Sequence, residues 1–288
     1  MHRSVPLLAL AVLTAGCAGS STPSAVDQTP QPSASADPAT PSSPAAGSAS
    51  PSSAGTSARA IYYLRDTTNG PRLYREFHRR PATTGVVRDA VTAMLTEPPQ
   101  DEDYTSLWAK GTRVLGVRME GSTAVVDLSK EAQTVRGGAA FESSTLQQLV
   151  WTATAADPHV TSVQLLVEGK RVDSLWGHVD TSRPMTRGQA AIELAPVWIL
   201  TPANGRVARG GTFGGEASVF EATVSWELRQ GGKVVKAGFT NAAMGAPGRG
   251  PWSAKADIPP GDYVLRAFES SAKDGSETFV DDKPLTVT

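Results

Sequence analysis

Between residues 59 and 187 the apolar positions alternate between strand-like and helix-like spacing. The apolar runs 61–64 and 73–77 flank the turn Asn69-Gly70-Pro71, which predicts a β-hairpin. A second hairpin is predicted over 111–128 and a last strand over 160–168. Helical periodicity predicts two helices, which carry these apolar positions on one face: Val86, Val87, Ala90, Val91, Met94 and Leu95, then Leu146, Leu149, Val150 and Ala153. The predicted order is β-β-α-β-β-α-β, an α+β fold with two helices on a mixed or antiparallel sheet.

Residues 190–288 follow a different pattern, without a convincing segment of helical period. Clusters of Gly and Pro separate several strand-like runs rich in β-formers: 192–200, 215–228, 233–239, 252–257, 263–269 and 277–287. Several short strands at this spacing in about 100 residues are typical of an all-β sandwich. The sequence thus predicts two folded domains of different class.

The N-terminus has the order of a bacterial lipoprotein signal peptide. A basic start leads into an apolar stretch over residues 5–13, too short to span a bilayer as a helix, which ends in small residues and Cys17. We predict cleavage between Gly16 and Cys17 and lipid on Cys17, the one cysteine of the chain. Because Thr14 stands where leucine is commonest, an ordinary secretory signal with an incidental cysteine is the alternative. The signal peptide would occupy residues 1–16.

Residues 17–58 are predicted to form a disordered tether behind the lipidated cysteine. The segment is almost entirely Ser, Ala, Pro, Thr and Gly, and its only charges are Asp27 and Asp37. Such a composition buries too little apolar surface to offset the entropy of ordering it. As a flexible coil it would span about 35 Å, enough to hold a folded body away from a membrane. A glycosylated stalk is also compatible with the sequence.

Overall charge and composition exclude several classes of partner. The formal net charge is −1, so the chain offers no field for nucleic acid. No later stretch is long enough for a transmembrane helix. We therefore expect a tethered, extracytoplasmic body anchored to the cell membrane through its lipid.

Residue patterns of known catalytic and metal sites are missing. The histidines, His2, His78, His159 and His178, lack metal-ligand spacing. There is no Gly-x-Ser-x-Gly elbow and no Gly-rich phosphate loop. Asp127 and Glu131 could form a carboxylate pair, but a helix cap with solvated charges explains them better. Asp281 and Asp282, beside Asp274, could bind calcium, but we interpret them as exposed acids near a turn. No cofactor, metal or enzyme activity is expected.

Two residue sets are open to a functional interpretation. The densest basic cluster consists of Arg72, Arg75, His78, Arg79 and Arg80. It is either a patch for anionic wall polymers or lipid headgroups, or the solvated face of an edge strand, which we favour. The second set consists of the six tryptophans, Trp108, Trp151, Trp176, Trp198, Trp226 and Trp252. They could line a sugar-binding face, but packing in the core or between domains is the commoner role of such residues.

Several motifs of the first segment resemble the GerMN domain. The resemblance covers about 120 residues and rests on these stretches: Ile61-Tyr62-Tyr63, Gly111-Thr112-Arg113-Val114-Leu115, Ala124-Val125-Val126-Asp127-Leu128-Ser129, Gln148-Leu149-Val150-Trp151-Thr152-Ala153-Thr154 and Val160-Thr161-Ser162-Val163. Glu97-Pro98 departs from the usual Gly-Pro. GerMN domains occur in sporulation, germination and actinobacterial envelope lipoproteins and resemble ring-building modules, which leaves self-association open. The family implies no enzyme activity.

The second segment resembles Gmad2, the immunoglobulin-like domain found with spore germination proteins. The matching stretches are Pro202-Ala203-Asn204-Gly205, Glu216-Ala217-Ser218-Val219-Phe220-Glu221-Ala222 and Phe268-Glu269-Ser270-Ser271-Ala272-Lys273-Asp274-Gly275-Ser276. The expected architecture is a GerMN-like α+β domain over 59–187, followed by an all-β immunoglobulin-like sandwich over 190–288.

These expectations define two hypotheses for function. The first is a non-enzymatic, membrane-anchored envelope lipoprotein of the sporulation or germination type, which scaffolds or binds other envelope proteins. The second is a lipoprotein that binds cell-wall polymers or glycans through the basic cluster and exposed aromatic residues.

Overall fold

The computed structural model describes residues 55–81, 85–134 and 138–288, so Gly16, Cys17 and most of the predicted tether lie outside the described residues. Strand β1 begins at Thr56, slightly earlier than the predicted end of the tether. Its first three residues pair with the end of the neighbouring strand, Thr56 with Pro81 and Ala58 with Arg79. Backbone pairing therefore brings into the strand small residues that composition alone assigns to the tether.

The elements of the first domain follow the predicted order, with two short strands added at the end. They are β1 (Thr56–Thr67), β2 (Gly70–Pro81), α1 (Val86–Thr96), β3 (Val114–Glu120), β4 (Thr123–Leu128), α2 (Ala139–Ala156), β5 (Ser162–Val167), β6 (Lys170–Arg171) and β7 (Met185–Thr186).

Two separate sheets make up this domain. Strands β1 and β2 form a two-stranded hairpin, and Gly70 at its turn has a φ of 85°, which glycine adopts without strain. The main sheet has the order β3-β4-β5-β6, with β7 beside β5. Strands β3 and β4 are antiparallel and β4 and β5 parallel, so the sheet is mixed, as predicted.

Both helices bury the faces that periodicity predicts. Val87, Ala90, Val91 and Met94 of α1 are buried, and so are Leu146, Leu149, Val150 and Ala153 of α2. Polar side chains of α2 also tie it to the hairpin: the Gln148 amide donates to the Tyr62 carbonyl at 2.8 Å, and the Tyr62 N–H donates to the Thr152 hydroxyl at 3.2 Å. The helices therefore join the hairpin and the main sheet in one core.

The second domain is a β-sandwich. Its elements are α3 (Ala190–Glu193), β8 (Val197–Thr201), β9 (Arg206–Val207), β10 (Thr212–Ala217), β11 (Thr223–Gln230), β12 (Lys233–Asn241), β13 (Gly250–Lys255), β14 (Gly261–Ser270) and β15 (Glu277–Val287). One sheet has the order β13-β10-β8, the other β12-β11-β14-β15-β9. The core between them contains Phe213, Trp226, Leu228, Trp252 and Leu265.

Two predicted strands of this domain are wrong in part. The run 192–200 begins as the helical turn α3, and β8 starts only after Pro196, which has no N–H for a sheet ladder. The run 215–228 is interrupted because the chain leaves one sheet at Ala217 and enters the other at Thr223. A short 3₁₀ turn, Phe220–Ala222, makes this crossing.

Candidate functional site

The two domains are joined through Trp198, which lies on β8 but packs in the core of the first domain. Its side chain is 1% exposed. The indole N–H donates to the Leu73 carbonyl of β2 at 3.2 Å, and the ring lies 6.0 Å from the Tyr62 ring. A Cβ on Gly215 would lie only 1.7 Å from the Trp198 carbonyl oxygen, so a glycine is needed where β10 approaches β8.

Two arginines hold the Trp198 ring. The guanidinium carbons of Arg75 and Arg249 lie 5.0 and 4.0 Å from its centroid, within the range of cation–π interactions. Arg75, on β2, also forms an ion pair with Glu216 of β10, which links the two domains directly. Arg249 donates to the Ala195 carbonyl at 2.6 Å, and burial lowers its pKa to about 10.

Asp281 forms a second, polar joint. It is fully buried, so the expectation of an exposed turn acid is wrong. One carboxylate oxygen accepts from the Tyr104 hydroxyl of the first domain at 2.7 Å, and the other from the Ile199 N–H at 2.6 Å. Burial raises the pKa of Asp281 to about 7, although the charge of Lys283 and the two donors act in the opposite direction.

Ion pairs surround this buried acid at the edge of the interface. Arg65 of β1 lies 2.9 Å from Asp282 and 3.1 Å from Asp103, and its guanidinium is 3.8 Å from Asp281. The Lys283 ammonium lies 3.3 Å from the Asp101 carboxylate. The interface is therefore apolar at Trp198 and charged at Asp281.

An open cleft of about 580 Å³ lies between the domains next to these ion pairs. The first domain contributes one wall, residues 75–77 and 100–103, and the second domain contributes the other, from β8, the following turn at 202–205, β14 and β15. Clefts of this size at domain interfaces are common places for ligands. The cleft is the candidate functional site of the described residues.

The basic cluster lies along β2, but three of its members are paired with carboxylates. His78 lies between Glu76, at 3.0 Å, and Glu97, at 2.8 Å, and Arg80 also binds Glu97. Arg75 forms an ion pair with Glu216 at the domain interface. Burial lowers the pKa of His78, but the hydrogen bonds to the two carboxylates outweigh it and raise the pKa above its usual value.

The two remaining members of the cluster are not brought together with the others. Arg72 donates to the carbonyl of its neighbour Pro71 at 2.9 Å. Arg79 is exposed, and no ion pair involves it within the described part of the chain. The charge available to an anionic polymer is therefore smaller than the composition of the cluster indicates.

The tryptophans pack in the interior of the protein rather than along an exposed sugar-binding face. Five are buried and Trp176 is half-buried, with its indole N–H donating to the Ala132 carbonyl at 3.0 Å. In the part of the chain that the structure describes, the large exposed apolar side chains are other residues: Phe77, Leu115, Met119, Ile192, Phe220, Val234, Val235, Phe239, Met244 and Val264. Two of them, Phe77 and Val264, line the cleft.

The other candidate groups form local contacts. Asp127 accepts from the Gly169 N–H at 2.9 Å, and Glu131 accepts from Ser129. His159 and His178 each pair with a single carboxylate. Over residues 55–81, 85–134 and 138–288, no three His, Cys, Asp or Glu side chains are grouped as metal ligands would be. In the same ranges, no helix is sufficiently long and apolar to cross a bilayer.

Solved structures similar to this chain include proteins of two bacteria. A candidate lipoprotein from Clostridium perfringens is 25% identical, with a TM-score of 0.34, over 46% of this chain and 88% of its own. The tandem GerMN domains of the sporulation protein GerM from Bacillus subtilis are 16% identical, with a TM-score of 0.40, over 50% of each chain. The first GerMN domain of GerM is 21% identical, with a TM-score of 0.39, over 46% of this chain and 98% of its own.

Family models match both domains, whereas a comparison with curated proteins gave no match. Residues 60–173 match the Germane family, whose description is "Sporulation and spore germination". Residues 196–276 match Gmad2, described as an immunoglobulin-like domain of bacterial spore germination. Neither description names an enzyme activity. The chain therefore contains a Germane (GerMN-like) domain, followed by a Gmad2 immunoglobulin-like domain of the kind associated with spore germination.

Proposed function

We propose that this protein is a non-enzymatic, membrane-anchored envelope lipoprotein whose two joined domains act as one interaction scaffold. The observation that carries the proposal is the interface at Trp198 and Asp281. Side chains of each domain complete the packing and hydrogen bonding of the other there. A body of this kind presents surfaces of both domains to partners in a fixed geometry.

The proposed mechanism is tethering. The lipid on Cys17 fixes the location, and the Ser/Ala/Pro segment sets how far the body reaches from the membrane. Surfaces on the joined domains recruit envelope proteins. Confinement by a tether raises the effective concentration of such contacts, so weak interactions suffice. The family descriptions support a place in sporulation or germination.

Replacing Cys17 by alanine tests the anchor. We expect the wild-type chain to be found with membranes and to carry a clickable palmitate analogue in living cells, because the lipid supplies the membrane affinity. The Cys17→Ala chain should lose the label and leave the membrane fraction. A variant that carries Ser20→Ala, three residues after the cysteine, is the matched control and should behave as wild type. An unlabelled wild-type chain, or a Cys17→Ala chain that stays with membranes, would contradict the proposal.

Wall-polymer or glycan binding is the second candidate. It is favoured by the exposed guanidinium of Arg79, which forms no ion pair with any residue that the structure describes. The pairing of Arg75, His78 and Arg80 with carboxylates and the burial of five tryptophans weigh against it. We therefore place it behind the scaffold proposal.

A further inference from the structure

The wall of the interdomain cleft contains apolar side chains that are accessible to solvent. Phe77 of β2 is 40% exposed and Val264 of β14 is 39% exposed, and both face the cleft together with Leu200 and two prolines. The Arg75 guanidinium lies 4.9 Å from the Phe77 ring centroid and so supports the ring from the protein side. A supported, accessible aromatic ring in a concave place is suited to an apolar side chain of a ligand.

The same cleft is acidic. Five carboxylates line it, Glu76, Asp101, Glu102, Asp103 and Asp282, against two cations, Arg75 and Lys283. Both cations are already engaged, Arg75 by Glu216 and Lys283 by Asp101.

Negative charge is left over after these pairs are made. Arg65 is shared by Asp103 and Asp282. Glu102 is exposed and has no ion pair in the described ranges. The carboxylates repel anionic polymers, phosphates and nucleic acid, and attract a cation.

We propose that the cleft binds a peptide segment with interspersed basic and apolar side chains, contributed by an envelope partner. The inference rests on the scaffold role proposed above and names the chemistry of its partner. Phe77 and Val264 would receive apolar side chains, and Glu102, with its neighbouring carboxylates, would receive lysine or arginine. The tether of this chain does not fit, because its charges are aspartates, Asp27 and Asp37.

The test is a binding titration with a defined probe. The probe is a fluorescein-labelled, capped hexapeptide, Lys-Phe-Lys-Val-Lys-Phe, titrated with the full chain carrying Cys17→Ser so that no detergent is needed. Two further peptides replace either every lysine by glutamate or every apolar residue by serine. We expect the first peptide to bind at least about tenfold tighter than either, and its affinity to fall as salt is raised.

Variants locate the binding. Phe77→Ser should weaken binding of the first peptide about tenfold and Glu102→Lys about fivefold, because the first removes the apolar contact and the second reverses the charge of Glu102. The controls Leu115→Ser and Glu120→Lys change equally accessible residues of β3, away from the cleft, and should bind as wild type. Circular dichroism shows whether each variant is folded.

Three results would overturn the proposal: equal binding of the three peptides, wild-type affinity in both cleft variants, or loss of binding in the controls as well. If sedimentation shows that the wild type self-associates and that Glu102→Lys abolishes this, a second copy occupies the cleft instead. Since the unlipidated chain is used, the titration can fail while the Cys17 anchor is confirmed, and the converse also holds.

Discussion

Trp198→Ala is expected to destabilise the chain by about 3–5 kcal/mol and to uncouple its two domains. The ring is 1% exposed, fills the core of the first domain from a strand of the second, and takes cation–π contacts from Arg75 and Arg249. Alanine would leave a cavity in the core of the first domain, where the Trp198 side chain of the second domain enters it. Calorimetry of the wild type should show one cooperative transition, and the variant should show two.

Trp226→Ala is the matched control, because Trp226 is also a buried tryptophan but lies within the second domain, against Phe213. Trp226→Ala should lower the midpoint temperature of unfolding, but the two domains should still unfold in one transition. A single unfolding transition in Trp198→Ala, or a decrease in the free energy of unfolding of less than about 1 kcal/mol, would contradict the interface described here.

The second large effect concerns Asp281 and pH. Burial raises the pKa of its carboxyl from 3.8 to about 7, so between these values the folded protein binds a proton that the unfolded chain has released. The contribution of this carboxyl to the free energy of unfolding is therefore most favourable at low pH. It falls as the pH rises toward 7, by at most about 1.4 kcal/mol per pH unit. Asp281→Asn should flatten this slope, which urea unfolding at a series of pH values measures.

The exposed Asp262, which accepts from the Thr286 hydroxyl at 2.8 Å, provides the control for this substitution. Asp262→Asn should leave the slope as it is in the wild type. An unchanged slope in Asp281→Asn would show that the buried carboxyl is charged in the folded state throughout this range.

The elements that the sequence predicts well are those determined by residues close together in the chain. The turn at Asn69-Gly70-Pro71, the buried faces of α1 and α2, and the second hairpin follow from periodicity and turn chemistry, and the structure confirms them. The failures lie where the chain changes partner. Pro196 delays β8, and the crossing between sheets near Phe220 divides what periodicity predicts as one strand.

The interface could be predicted only in part. The sequence predicts that the tryptophans pack in the core or between domains, but no local pattern shows that Trp198 enters the core of the other domain. Asp281 had a usable signal: it shares strand parity with Leu285 and Val287, which are buried, so an inward position was indicated. Its partner Tyr104 is distant in sequence, and no pattern connects the two.

The basic cluster shows why charge counted along a strand misleads about binding. His78 and Arg80, two residues apart on β2, both bind Glu97. That carboxylate follows α1, so only the tertiary structure shows the neutralisation. The cleft likewise arises from two domains that contribute one wall each, and a sequence read along one chain does not reveal it.

In-cell crosslinking and pull-down of the intact chain, with Cys17→Ala as the unanchored control, tests the central claim most directly. An anchored scaffold predicts discrete envelope proteins crosslinked to the wild type and lost from the Cys17→Ala chain. Recovery of wall polymer alone, in equal amounts with and without the anchor, would contradict the account and favour the polymer-binding role.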